Sequence, residues 1–230
     1  MSHILTSIFA LMTILTAPLT NVGDIAVCPV SERVDGNNFV FSGNRPRFSG
    51  MGNSRAEEKL NAVMHERFET VLSHTKCAAA ELPTDDRSKQ FKAEGVFDYE
   101  VKRNSNGVVS LLLIETVYDG KAQTTQLKTG FSFFTGNGQT IKLPQLFLNS
   151  EEGIIQINEE ILRQVDSRGL GSALVCSKPA VNANQPFYLT DTALTLIIPT
   201  MTWFGGNMGI VEFTIPISKL KDHLNPGFVP

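Results

Sequence analysis

The chain has 230 residues, 42% of them hydrophobic and 19% charged, with a net charge of −3. This is an ordinary globular balance, long enough for one large domain or two small ones. Near-neutral charge without Lys/Arg clustering leaves no electrostatic footprint for a nucleic-acid partner.

Residues 4–20 (ILTSIFALMTILTAPLT) are apolar, uncharged and broken by Pro18. The run fits the apolar part of a secretory signal spanning residues 1–20. The alternative is an uncleaved N-terminal anchor. On either reading the rest of the chain is expected to be secreted, periplasmic or in the cell envelope, with membrane contact only through residues 4–20. Residues 21–45 read as a lead-in arm, with a turn at Asp35-Gly36-Asn37-Asn38 and a short strand at Phe39-Val40-Phe41. Residues 46–230 read as a single α+β domain.

A helix is predicted next. Ser54-Arg55-Ala56-Glu57 has the form of a capping box. Leu60, Val63, Met64, Phe68, Val71 and Leu72 follow at helical spacing to near Cys77. His65-Glu66-Arg67-Phe68-Glu69 resembles a zinc-protease helix but ends in glutamate where that motif has histidine, so a solvated polar face is the simpler reading. His74 and Cys77 share a face by spacing, yet a metal needs more ligands than that. No metal or other cofactor is expected. Cys28, Cys77 and Cys176 allow at most one disulfide, which an oxidising compartment would favour, and the sequence does not choose the pair.

The middle of the chain reads as an antiparallel meander. Phe97, Tyr99 and Val101 alternate with polar residues, and Asn106-Gly107 is a hairpin signal. Residues 108–118 (VVSLLLIETVY) form the longest buried-type strand, residues 124–135 pair with it, and Asn137-Gly138 turns into residues 140–143. A two-residue turn at Asn106-Gly107 would set Asp98 opposite Glu115, and two adjacent carboxylates could make an acid/base pair. A longer turn starting at Asn104 would separate them, and that reading is preferred.

Residues 150–166 read as a second helix, stopped by Gly169 and Gly171, with an irregular stretch over 172–186. Residues 193–199 (ALTLIIP) form a continuous apolar strand buried on both faces. Residues 209–216 (GIVEFTIP) alternate as a half-buried one. The loop between them, residues 200–208, holds the one tryptophan beside two glycines. Trp203 and Phe204 are therefore candidate partner-binding anchors, unless Trp203 folds back to plug the end of the sheet. Tyr118 and Asp119, at the end of a long strand, are candidate neighbours. No nucleophile elbow, complete His-Glu-x-x-His or Walker loop is present.

Three segments resemble an extracytoplasmic bacterial domain, the domain-of-unknown-function family 3298 with its N-terminal companion 4163. In residues 46–76, an extended Pro-x-x-Ser-Gly leads into a helix with Leu60-Asn61. In residues 108–147, a strand ending in Tyr118 leads to Phe131-x-Phe133, Thr135-Gly136 and Leu146-Phe147. In residues 187–224 the carriers are Phe187-Tyr188-Leu189-Thr190, Gly209, Glu212-Phe213 and Ile215-Pro216. The resemblance implies an antiparallel sheet with two main helices packed on one face. Its members include the sensor part of a lysozyme-sensing anti-sigma factor and secreted mycobacterial antigens. The family often has Gly-Gly-Ala-His after the strand; this chain has Asp119-Gly120-Lys121-Ala122-Gln123. The expectation is a non-catalytic module binding a protein or an envelope glycan. The alternatives are a hydrolase acting on envelope material and a surface antigen without a dedicated ligand.

Overall fold

A computed structural model describes residues 25–83 and 91–228, so residues 1–20, read above as a signal or anchor, lie outside the described residues. The fold is α+β, with two sheets. The first has five strands in the order β1 (Ala26–Asp35), β2 (Phe39–Ser49), β3 (Ala93–Ser105), β4 (Val108–Tyr118) and β5 (Thr124–Phe134). The second has three: β6 (Phe187–Leu189), β7 (Ala193–Ile198) and β8 (Val211–Pro216). Helix α1 (Ser54–Ala80) follows β2, α2 (Ser150–Ser167) follows β5, and a short α3 (Ile217–Leu220) follows β8.

The lead-in arm of the sequence reading is in fact part of the sheet. β1 and β2 pair antiparallel over ten residues, from Ala26↔Ser49 to Asp35↔Val40. Pro29 lies opposite Pro46. Neither can donate, so this is a non-bonded position of the ladder, and the missing N–H of Pro29 faces the edge of β1 that is unpaired among the described residues, which it blunts. β2 then pairs with β3 in parallel, from Phe39↔Ala93 to Gly43↔Phe97. A parallel pair needs a crossover, and α1 supplies it. The sheet is therefore mixed rather than purely antiparallel.

Helix α1 is capped one residue earlier than the capping-box reading. Asn53, not Ser54, is the N-cap, and its side chain accepts from the Ala56 N–H at 3.0 Å. Glu57 reaches further back, to the Met51 N–H. The helix runs on to Ala80, and Leu60, Met64, Phe68, Val71 and Leu72 are buried against the sheet. Each such side chain contributes roughly 1.5–3 kcal/mol by leaving water. Phe68 sits edge-on to Phe41, with centroids 4.8 Å apart. A Cβ on Gly95 would lie 2.0 Å from Thr75 Oγ1, so glycine lets the helix approach this closely. His65, Glu66 and Glu69 are exposed on the opposite face.

The second sheet packs on the other face of the first, with α2 beyond it. The two main helices thus cover different sheets rather than one common face. Val109, Leu111 and Leu113 of β4 face α1, while Leu112 meets Tyr188 and Ile197 of the second sheet. A Cβ on Gly130 would fall 1.5 Å from the Phe187 carbonyl oxygen, which marks where the sheets touch. Both edges of the second sheet are occupied. The Leu189 N–H donates to Ser110 Oγ at 2.8 Å. Gln164 of α2 and Arg168, its C-cap residue, donate to the Thr214 and Glu212 carbonyls.

The Asn106-Gly107 turn has two residues with positive φ, 52° and 71°, as a type I′ hairpin requires. The register nevertheless slips between Val101 and Arg103, leaving Lys102 as a bulge. Asp98 consequently faces Ile114, and Glu115 faces Phe97. The two carboxylates lie on opposite faces of the sheet, separated by the bulge rather than by a longer turn.

Candidate functional site

The second sheet covers only part of the first. It rests on the end of β3–β5 near the hairpin, and leaves open the face of β1, β2 and β3 turned away from α1, together with the far ends of β4 and β5. Strand alternation fixes what that open face shows. Phe97 and Tyr99 pack toward α1, so Glu94, Val96 and Asp98 point the other way. The β2 and β4 registers add Ser42, Asn44, Thr116 and Tyr118. Val96 is 40% exposed and Tyr118 is half-buried.

Within this face is a fork. β2 and β3 stay paired only as far as Gly43↔Phe97 and then separate, β2 staying with β1 and β3 with β4. A shallow depression of about 230 Å³ lies there, lined by Ser31, Arg33, Ser42, Asn44, Val96 and Asp98 among others. Ser31 Oγ donates to Asn44 Oδ1 at 2.7 Å. Asn44 Nδ2 donates across the gap to Asp98 Oδ1 at 3.4 Å. The same oxygen accepts the Tyr99 N–H at 2.9 Å, a backbone donor that the fork deprives of a strand partner. Arg33 is committed to Asp35, at 2.9 Å. Burial pushes the Tyr99 hydroxyl pKa up to about 12, so it stays protonated.

A charged cluster marks the border where the second sheet begins. Lys128 Nζ lies 2.8 Å from Glu212 Oε1, and the Tyr188 hydroxyl donates to Glu212 Oε2 at 3.0 Å. The bulge aims Lys102 here, with Nζ 5.0 Å from the centre of the Tyr188 ring and bonded to Glu100. Burial pushes the Glu212 carboxyl up, but the bonds from Lys128 and Tyr188 together outweigh it and hold its pKa below the ordinary value. Burial likewise raises the pKa of Tyr188. Every group in the cluster is matched by a neighbour, so it serves to join the sheets. Arg103, beside the bulge, is buried and donates to the Phe228 carbonyl at 3.2 Å.

The sequence-predicted anchors fall elsewhere. Trp203 and Phe204 are 6% and 2% exposed, and both pack on Phe213 with centroids 6.1 Å away. The loop is tied to the 173–176 stretch, with Val175 N–H bonded to the Trp203 carbonyl and Gly205 N–H to that of Ala173. The two aromatics plug the end of the second sheet and offer no surface to a partner. The large apolar side chain that this loop exposes is Met201. Asp119 is also turned inward on its own loop: Oδ1 accepts the N–H groups of Lys121, Ala122 and Gln123. These bonds, led by those of Lys121 and Gln123, hold its pKa below the ordinary carboxylate value. Only Tyr118 of the four belongs to the open face. Glu115, on the other face, is held by Arg67 at 2.6 Å. Cys28, Cys77 and Cys176 are all free thiols, so no pair among them forms the disulfide that the compartment would favour. Ser31 and Asn44 escaped the sequence reading because they fell in the stretch taken for an arm. The alternation Phe41-Ser42-Gly43-Asn44 was the available signal.

Two stacked sheets, a crossover helix on one outer side and a second helix on the other define a small α+β class. No protein-family model matches the sequence, and no curated protein matches it. Among solved structures, the chain is similar to a DUF3298 family member from Bacteroides fragilis, with TM-score 0.67 and 12% identity, covering 90% of this chain and 96% of that one. It is also similar to a DUF3298 family protein from Pseudomonas aeruginosa, with TM-score 0.59 and 12% identity, covering 93% and 98%. The chain therefore has the DUF3298 fold, the one its sequence motifs resemble, and fold alone carries no activity.

Proposed function

We propose that this chain is an extracytoplasmic, non-catalytic binding module of the DUF3298 kind that holds an extended cell-envelope glycan on the open face of its five-stranded sheet. The observation carrying this reading is the fork depression with its fixed hydroxyl–amide–carboxylate chain, Ser31–Asn44–Asp98. At about 230 Å³ it is smaller than the roughly 300–1,000 Å³ pockets that enclose a small molecule. It suits one unit of a longer ligand lying across a rigid sheet. The compartment rests on the apolar N-terminal run and the family resemblance. The hydrolase alternative loses its paired carboxylates, since Asp98 and Glu115 stand on opposite faces.

The test is co-sedimentation of the purified protein with insoluble peptidoglycan, paired with an assay for newly released reducing ends. Salt-resistant sedimentation without release is the expected result. Failure to sediment overturns the glycan reading, and release of reducing ends overturns the non-catalytic one.

A further inference from the structure

The hydrogen-bond inventory of the fork narrows what can sit there. Asp98 Oδ1 takes the bonds from Asn44 and Tyr99, and Oδ2 has no partner among the described residues. Ser31 Oγ spends its proton on Asn44, so both its lone pairs are free. Asn44 Nδ2 spends one proton on Asp98 and keeps the other. The Ser31–Asn44–Asp98 chain therefore presents a carboxylate oxygen and a hydroxyl oxygen as acceptors, with the spare Asn44 N–H as donor between them, beside the Ser42 hydroxyl and the Arg33 guanidinium. Val96, 40% exposed, gives an apolar floor alongside.

Resting on the binding-module reading, we infer that the fork between β2 and β3 is a subsite for one sugar ring, recognised through adjacent hydroxyl groups. One hydroxyl donates to Asp98 Oδ2 and its neighbour to Ser31 Oγ. The spare Asn44 N–H is returned to one of those hydroxyl oxygens, which satisfies donor and acceptor at once. The apolar face of the ring lies toward Val96. A hydroxyl suits this site better than an ammonium group. An ammonium has three donors and no acceptor, so it would leave the Asn44 N–H unmatched, and the Arg33 guanidinium lines the same depression. Asp98 is the specificity-determining group, because a hydroxyl bonded to a carboxylate is stronger than one bonded to a neutral amide.

The test is a titration of the ¹⁵N-labelled full chain, followed by amide NMR shifts, with three probes: chitotetraose, cellotetraose and spermidine. At least one of the two neutral sugars is expected to shift the Ser31, Gly43, Asn44 and Asp98 amides saturably, and spermidine is not. Asp98→Asn keeps an oxygen for the Tyr99 N–H, so the fold is retained, and sugar affinity should fall at least about tenfold. Ser31→Ala should weaken binding by a smaller factor, and Glu66→Gln on the far face of α1 should not change it. The subsite is overturned if neither sugar moves these amides, if spermidine alone does, or if Asp98→Asn binds sugar as tightly as the wild type. Peptidoglycan sedimentation that survives Asp98→Asn would leave the module reading standing and remove the subsite. Loss of sedimentation in the wild type would remove the module reading itself.

Discussion

Every residue of β7 is buried, whereas β2, in the five-stranded sheet, alternates buried Phe41 and Gly43 with half-exposed Ser42 and Asn44. The second sheet is covered on one face by the first sheet and on the other by α2, and both its edges are bonded to side chains. The first sheet is covered completely by neither neighbour, and the outer edge of β1 is unpaired among the described residues. A sheet enclosed on all sides can supply stability but has no surface to offer. The partly covered sheet combines a rigid, helix-backed floor with polar groups that still lack partners, which is where a ligand can gain from hydrogen bonds.

Cutting an aromatic from each core should give the largest effects and test whether both halves are equally load-sharing. Phe68→Ala removes a fully buried ring that meets Phe41 and Phe97, and should cost about 3–5 kcal/mol in chemical denaturation. Trp203→Ala, in the other core, should cost a similar ~3–5 kcal/mol. A loss under about 1 kcal/mol for Trp203→Ala would mean that the indole is solvated, and would return the loop to the list of partner surfaces.

The contact between the sheets is the next most sensitive point. Gly130→Ala places a methyl where the Phe187 carbonyl already lies. Because the obstacle is backbone and not a flexible side-chain tip, the strands must part, and we expect a loss of at least about 2 kcal/mol. The same variant should loosen the Lys128–Glu212 pair two residues away. A Gly130→Ala protein as stable as the wild type would show that the sheets slide freely and that the open face has no fixed boundary.

The enclosed sheet was far easier to read in the sequence than the open one. The continuous run at residues 193–198 and the alternation Val211-Glu212-Phe213-Thr214-Ile215 give β7 and β8 directly, because burial on two faces or on one leaves a periodic signature. The α1 stripe was legible for the same reason. The strand β1 was not, and β2 was legible only over Phe39-Val40-Phe41, since Gly36 marks a turn and Pro29, Pro46 and Gly43 interrupt the strand pattern, while the parallel pairing of β2 with β3 depends on a helix crossover. The bulge at Lys102 leaves no mark on a local pattern, yet it decides which face Asp98 occupies relative to Glu115. The anchor residues were misplaced because a glycine-flanked tryptophan looks the same in sequence whether the loop folds outward or back onto Phe213. The fork could not be found without the register of three strands, one of them unrecognised and another read only over Phe39-Val40-Phe41.

The smallest effect belongs to the charged seam that fastens α2 to α3, and it separates the two regions by their response to acid. Glu160 accepts from Arg163 Nη2 at 2.5 Å, Gln164 Nε2 at 2.9 Å and Lys219 Nζ at 2.8 Å. The Arg163 bond, helped by Lys219 and Gln164, lowers its pKa from 4.5 to about 2. A carboxyl whose folded pKa is depressed stabilises the fold above its unfolded pKa, and that contribution is lost as pH falls through the folded value. The window is therefore from about pH 4.5 down to about pH 2. Arg163 and Lys219 are half exposed, so solvent screens the network and its worth is about 1 kcal/mol. Glu160→Gln should lower stability by about that amount at neutral pH, by the same amount just above the window, and by nearly nothing at its lower end. High salt should shrink the neutral-pH difference. A difference that persists unchanged to the bottom of the window would show that Glu160 acts through packing rather than charge. One that grows on acidification would reverse the sign of the linkage and place the stabilising proton on the carboxyl itself.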